Sequence, residues 1–317
     1  MEGLEGLVGR RLKANSALSR LLCRYSDQPS VFYQLAPSDK LPHWEISPEA
    51  REKKRNCAAQ YPRAVYDFGK VAEANRKSSG VLLVYTFCER RGTTPETLEP
   101  IIRDALKDTL VKPEASFPYC FAWARTSAFE MPGIEEGAKN RGVIGQEIQF
   151  DVIEYPKQET ADPDPIAALN QFLGKFYPEA VIVGLTHMEA FTEASAEQPV
   201  IYCRLQGTET DGAMNTVVWM NARIAIHVIC SDPETRLKLT ADIQNQINWR
   251  GEMRMLDRSI MRPVRLSMNN TADYLKEGQL DGVFHYGVLR YRSKPHKITR
   301  IHMEIDPEAY IEDYARN

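Results

Sequence analysis

The stretch Gly80–Leu110, GVLLVYTFCERRGTTPETLEPIIRDALKDTL, reads as an apolar strand, a polar Gly-containing turn and a capped helix. Val81, Leu83, Tyr85 and Phe87 alternate with Leu82, Val84 and Thr86. Both faces are therefore apolar, the pattern of a strand interior to a covered sheet. Thr94 stands at the N-cap position, Pro95 at the first helical position, and Glu96 in the first turn, where negative charge favours the helix dipole. Leu98, Ile101, Ile102, Ala105 and Leu106 then form a stripe that can lie on the sheet.

The same pattern returns at Ala222–Asn248, ARIAIHVICSDPETRLKLTADIQNQIN. Both strands end at a cysteine (Cys88, Cys230), and both helices open on Pro-Glu-Thr (Pro95–Thr97, Pro233–Thr235) behind a capping residue, Thr94 or Asp232. Self-similarity of this kind predicts one α+β unit used twice.

Working outward, the matches extend along most of the chain. An amphipathic helix with Leu4, Leu7, Val8, Leu18, Leu21 and Leu22 on one side, broken at Asn15-Ser16, corresponds to a helix over Pro165–Phe176 capped by Asp164. An extended segment follows in each pass, Pro29–Tyr33 and Pro178–Val183, then a variable stretch, Leu41–Gln60 against Thr186–Gln198. A second strand comes next, Pro62–Tyr66 and Pro199–Tyr202, with proline at its first residue. Each pass closes on a hairpin: Tyr119–Thr126 with Gln146–Tyr155, and Pro263–Met268 with Gly282–Arg292. The loops inside them, Met131–Gly145 and Asn269–Asp281, are long enough to suggest function or mobility.

The order helix, strand, strand, strand, helix, strand, strand thus occurs twice. The predicted fold class is α+β, two tandem copies of a small sheet packed with helices. The first domain spans 1–157, a polar Pro-containing linker 158–164, the second domain 165–296, and a C-terminal tail 297–317.

Composition excludes several function classes. Hydrophobic content of 43% with 26% charged residues describes a globular chain, not a disordered one. No apolar run approaches the roughly 18 residues of a membrane span, and MEGLEGLVGRRLKAN lacks the apolar core of a signal peptide. A net charge of −3, from 40 basic and 43 acidic side chains, argues against a duplex-binding surface. Lys53-Lys54-Arg55 lies beside Glu49 and Glu52 and reads as a solvated helix face. The six cysteines form no CxxC pair and read as free thiols; the six histidines show no metal-ligand spacing.

Catalytic patterns are missing. No GxGxxG, GxxxxGK[ST], GxSxG or HExxH occurs. His227 and Cys230, three apart on a strand, face opposite sides. Asp104 and Asp242 match in position and read as helix-face residues. Trp44, Trp123, Trp219 and Trp249 form no stacking platform; Trp219 and Trp249 are expected in the core, with a subunit contact as the alternative. Arg90-Arg91 in the strand–helix turn reads as an exposed turn or as a contact for an acidic partner. No catalytic residue, cofactor or metal is expected.

The repeated unit resembles bacteriophage tail terminator (tail completion) proteins. The resemblance rests on PRAVYDF (62–68), PVIYCRL (199–205), ARIAIHVICSDPETRLKL (222–239), FDVIEY (150–155) and VLRYR (288–292), in that architectural order. It implies a non-enzymatic virion protein, made in the host cytoplasm, that forms a ring at the head-proximal end of a tail. The partners implied are the chain itself (a hexamer favoured, a trimer possible), the tail tube or sheath, and a head-completion or collar protein. DNA would only pass through the lumen, and no membrane or cofactor is involved. The departure is the tandem copy, since the family is typically one short domain; a gateway or collar position is equally compatible. Interface candidates under this reading are Arg90, Arg91, Gly133, Glu135, Glu136, Lys139, Arg141, Tyr274, Lys276, Glu277, Tyr310 and Tyr314. Two other classes stay open, a non-viral tandem-domain adaptor and a small-molecule-binding enzyme on a duplicated α+β scaffold. Stabilisation by a nucleotide or metabolite would favour the enzyme.

Overall fold

The computed structural model describes residues 2–37, 43–53, 60–69, 78–90, 92–131, 142–158 and 162–290. The first half runs α1 (Leu4–Ala14), α2 (Ser16–Leu21), β1 (Arg24–Tyr25), β2 (Gln28–Pro29), β3 (Val31–Tyr33), β4 (Trp44–Glu45), α3 (Pro48–Glu52), β5 (Arg63–Gly69), β6 (Gly80–Glu89), α4 (Pro95–Leu106), β7 (Thr109–Val111), β8 (Tyr119–Met131) and β9 (Val143–Glu154). The second runs α5 (Pro165–Phe176), β10 (Val181–Ile182), β11 (Phe191–Glu193), β12 (Val200–Ala213), β13 (Val217–Ile229), α6 (Pro233–Arg250), β14 (Met253–Arg254), β15 (Ile260–Met268) and β16 (Leu280–Leu289).

The alternation in β6 sets its place. Leu82, Val84, Thr86 and Cys88 are buried, while Val81, Leu83, Tyr85 and Phe87 on the other face are half-buried. The strand lies between β5 and β9, interior to its sheet as its two apolar faces predicted. On the buried face, α1, α2 and α4 contribute Leu7, Leu12, Leu18, Leu98 and Ile102 to a core with Leu82, Val84 and Phe150. In the second half, α5 and α6 bring Leu169, Leu173, Ile243 and Ile247 onto Ile224, Ile226 and Phe284. Each such Leu or Ile, fully buried, contributes about 1.5–3 kcal/mol. Each half therefore carries its own core.

The two large sheets share one strand order. The first reads β3-β5-β6-β9-β8-β7 and the second β10-β12-β13-β16-β15-β14. The outermost pair is parallel in both (β3 with β5, β10 with β12). Every other pairing within the two sheets is antiparallel. One strand breaks the correspondence: β11, from the second half, is the seventh strand of the first sheet, antiparallel to β7.

Several details differ from the sequence reading. Strand β12 runs much further than Pro199–Tyr202 suggested, because its exposed residues 206–213 continue along β13, whose other side is paired with β16 over Val217–Ile226. A strand exposed at a sheet edge needs no apolar pattern to announce it. Short strands β7 and β14 follow the two Pro-Glu-Thr helices and were not anticipated; two or three residues carry too little pattern to announce a strand. Trp44 is buried at 2% exposure against Tyr25 and Phe32, with ring centroids at 5.0 and 5.7 Å. Trp249, expected in the core, is instead 78% exposed: it lies beyond Ile247, past the buried stripe of α6. Among the described residues no helix is long and apolar enough to cross a membrane.

Candidate assembly surfaces

The two halves meet through the faces of their sheets that the helices leave bare. From the first half, Leu110, Cys120, Ala122, Ile153 and Tyr155 face outward from β7, β8 and the end of β9. They pack against Val181, Val183, Val200, Tyr202 and Ile229 around β10, β12 and β13. The Tyr155 and Tyr202 rings cross edge-to-face at 4.9 Å. Opposite ends of the common strand order are used: the β7–β8–β9 end of one half meets the β10–β12–β13 end of the other. The seam is heterologous.

Polar groups close its rim. The Tyr155 hydroxyl donates to the Leu275 carbonyl at 2.8 Å, and the Tyr202 hydroxyl to the Pro156 carbonyl at 3.0 Å. Arg204 Nη2 donates to the Glu154 carbonyl at 2.7 Å. Asp108 accepts from the Tyr274 hydroxyl at 2.7 Å, and the Arg236 guanidinium sits 4.0 Å from the Tyr274 ring centroid. Lys276 Nζ pairs at 2.7 Å with Asp151, whose side chain is nearly fully buried. Strand β11 adds main-chain bonds to β7, and Arg11 of α1 reaches back to Glu193 while its Nε donates to the Ala105 carbonyl at 3.0 Å.

Burial controls the chemistry of these groups. It pushes the Tyr155 phenol well up, and together with the Asp108 carboxylate it raises the Tyr274 phenol. Burial first, then Asp108, lifts the Cys120 thiol to about 12. Such a thiol stays protonated and is a packing group, not a nucleophile. His227 Nδ1 lies 3.0 Å from the Tyr274 carbonyl while Cys230 Sγ donates to the Ser195 carbonyl at 3.4 Å, so the two are used separately. Among the described residues no cluster of three His, Cys, Asp or Glu could hold a metal ion.

The interface candidates fall in three places. Tyr274 and Lys276 are spent on the first half of their own chain, because the 269–279 loop folds into the seam: Asp273 accepts from the Leu275 and Lys276 N–H groups, and Gln279 bonds both main-chain groups of Val228. Glu277 in the same loop is exposed. Arg90 is exposed and paired with Glu130 of β8. Arg91, Gly133, Glu135, Glu136, Lys139, Arg141, Tyr310 and Tyr314 lie outside the described residues. Asp242, read as a free helix-face residue, accepts from the Tyr177 hydroxyl at 2.7 Å, whereas Asp104 is exposed. The seam groups Asp108, Asp151, Tyr155 and Tyr202 were not singled out from the sequence. For Asp151, Tyr155 and Tyr202 the one hint was their place in the strand stretches FDVIEY and PVIYCRL; Asp108, in the turn between α4 and β7, carried none.

This is a mixed α+β protein, two helix-backed sheets joined face to face through their opposite ends. No family model, no curated protein and no solved structure matches the chain.

Proposed function

We propose that this chain arose by tandem duplication of a tail-terminator-like unit. In this reading it is a non-enzymatic structural virion protein, a ring at the head-proximal end of a phage tail in a terminator, gateway or collar position. Its partners are then further copies of itself, the tail tube or sheath, and a head-completion or collar protein, with DNA crossing the lumen. The observation that carries the reading is the shared strand order of the halves combined with their heterologous seam. Like units joined end to opposite end build a closed ring when the rotation between them closes. The exposed stretch 206–216, the outer part of β12 and the turn into β13, supplies a sheet edge of the kind that can meet a neighbouring ring or tube.

The test is the solution mass of the purified chain, alone and with tail tubes of the same phage, with electron micrographs of both samples. The expected result is a trimeric or hexameric ring with a central hole, seated on tube ends. A chain that stays monomeric and leaves tube ends bare would overturn the reading.

A further inference from the structure

The seam inside the chain uses one end of each half, and among the described residues nothing covers the outer faces of the other two ends. Aligning Cys88 with Cys230 places Val152 opposite Gly80 where Phe284 stands opposite Ala222. By that register, Ile153 and Cys120, buried in the seam, correspond to His285 and Arg262. There, among the described residues, the second half is uncovered: Ile260 is 42% and Val264 62% exposed on the outer face of β15, and His285 is half-buried beneath the Trp219 ring at 5.0 Å. Conversely, Val200, Tyr202, His227 and Ile229 are buried in the seam, and their counterparts Arg63, Val65, Tyr85 and Phe87 line the outer face of β5 and β6. All but Val65 are half-buried.

From this we infer that a second copy of the chain docks its β14–β15–β16 outer face on the β5–β6 outer face of the first, repeating the in-chain seam between molecules. The inference rests on the ring reading for its biological sense and on the seam for its geometry. Three observations select a second copy as occupant. The docking face continues the established one in register and in its apolar stripe of Leu83, Tyr85 and Phe87. The charges are complementary, with Arg254 and Arg265 exposed on the second half and Asp67 and Glu147 on the outer face of the first. Finally, β14 is the last strand of its sheet among the described residues, whereas the matching edge of β7 is closed by β11. An unprotected edge is a liability that assembly removes.

A heterologous interface has a signature that an isologous one lacks. Val264→Asp with Ile260→Asp changes only exposed positions on one face; Leu83→Asp breaks the other, with Glu147→Arg as the milder variant if Leu83→Asp unfolds. Each variant alone should lose the ring and sediment at the mass of one chain, while still unfolding in a cooperative transition. Mixed in equal amounts, the two should form a 1:1 dimer, because one intact pair of faces remains. Rings that persist in the Ile260/Val264 variant would overturn the proposed interface while leaving the ring reading intact. Variants that dimerise alone, or a mixture that stays monomeric, would also overturn it. A wild-type chain that is monomeric with and without tubes would remove both.

Discussion

Asp151 shows how much a single seam residue has at stake. Its carboxylate is buried at 2% exposure and its ion-pair partner, Lys276, lies 125 positions away in the chain. Taking one partner from a buried pair leaves a charge in a poor solvent, which costs about 3 kcal/mol or more. Lys276→Met should therefore lower the unfolding free energy by about 3 kcal/mol in urea denaturation. Asp151→Asn combined with Lys276→Met should recover most of it, giving a coupling of about 1–3 kcal/mol between the sites. Strictly additive losses would place the two in separate roles. Lys276 stood out in the sequence only as a charge in a long loop. Nothing local announced that the loop folds inward onto a carboxylate from the other half.

At the level of elements, the two Pro-Glu-Thr helices look alike in sequence and are capped differently. Asp232 accepts from the Thr235 N–H at 2.8 Å and from its hydroxyl at 2.6 Å. The Thr94 side chain makes no cap bond and lies 3.2 Å from the Thr97 hydroxyl instead. Asp232→Ala should lower the thermal midpoint, whereas Thr94→Ala should change stability by no more than about 0.5 kcal/mol. The Thr235 hydroxyl, then its N–H, hold the Asp232 carboxyl below the usual 3.8. A depressed folded-state value means the stabilisation is full above 3.8 and lost as the pH falls through that value and below. The difference between wild type and Asp232→Asn should shrink over that acid range in a pH series of melts. Proline at the first helical position and the buried stripe from Leu98 to Leu106 were legible in advance. The choice of cap was not, because it depends on the exact path of the turn.

For the molecule as a whole, the decisive feature is that each half has its own core while a third apolar cluster joins them. With a protease site inserted in the 158–164 linker, the cut halves should stay together and elute at the mass of the intact chain. The β11–β7 ladder and the Tyr155–Tyr202 contact do not need the linker to hold. Halves that separate after cleavage would show the seam to be weaker than its burial implies. The α+β class and the two strand-then-helix passages were readable from Gly80–Leu110 and Ala222–Asn248. The crossing of β11 was not, since Phe191-Thr192-Glu193 is three residues in a stretch that looked merely variable.

The sequence by itself determined the main helices and the longer strands of each half, because period-two and helical apolar patterns and proline act over a few neighbours. The two- and three-residue strands β7, β11 and β14 carry too little pattern for that. Tertiary structure alone decided that the bare faces of the two sheets meet, that opposite ends of the common order are used, and that Asp108 and Asp151 find Tyr274 and Lys276. These are contacts between residues 46 to 166 positions apart, whose free energy depends on desolvation and packing in three dimensions. A local pattern can say that a second face is apolar. It cannot say what covers it.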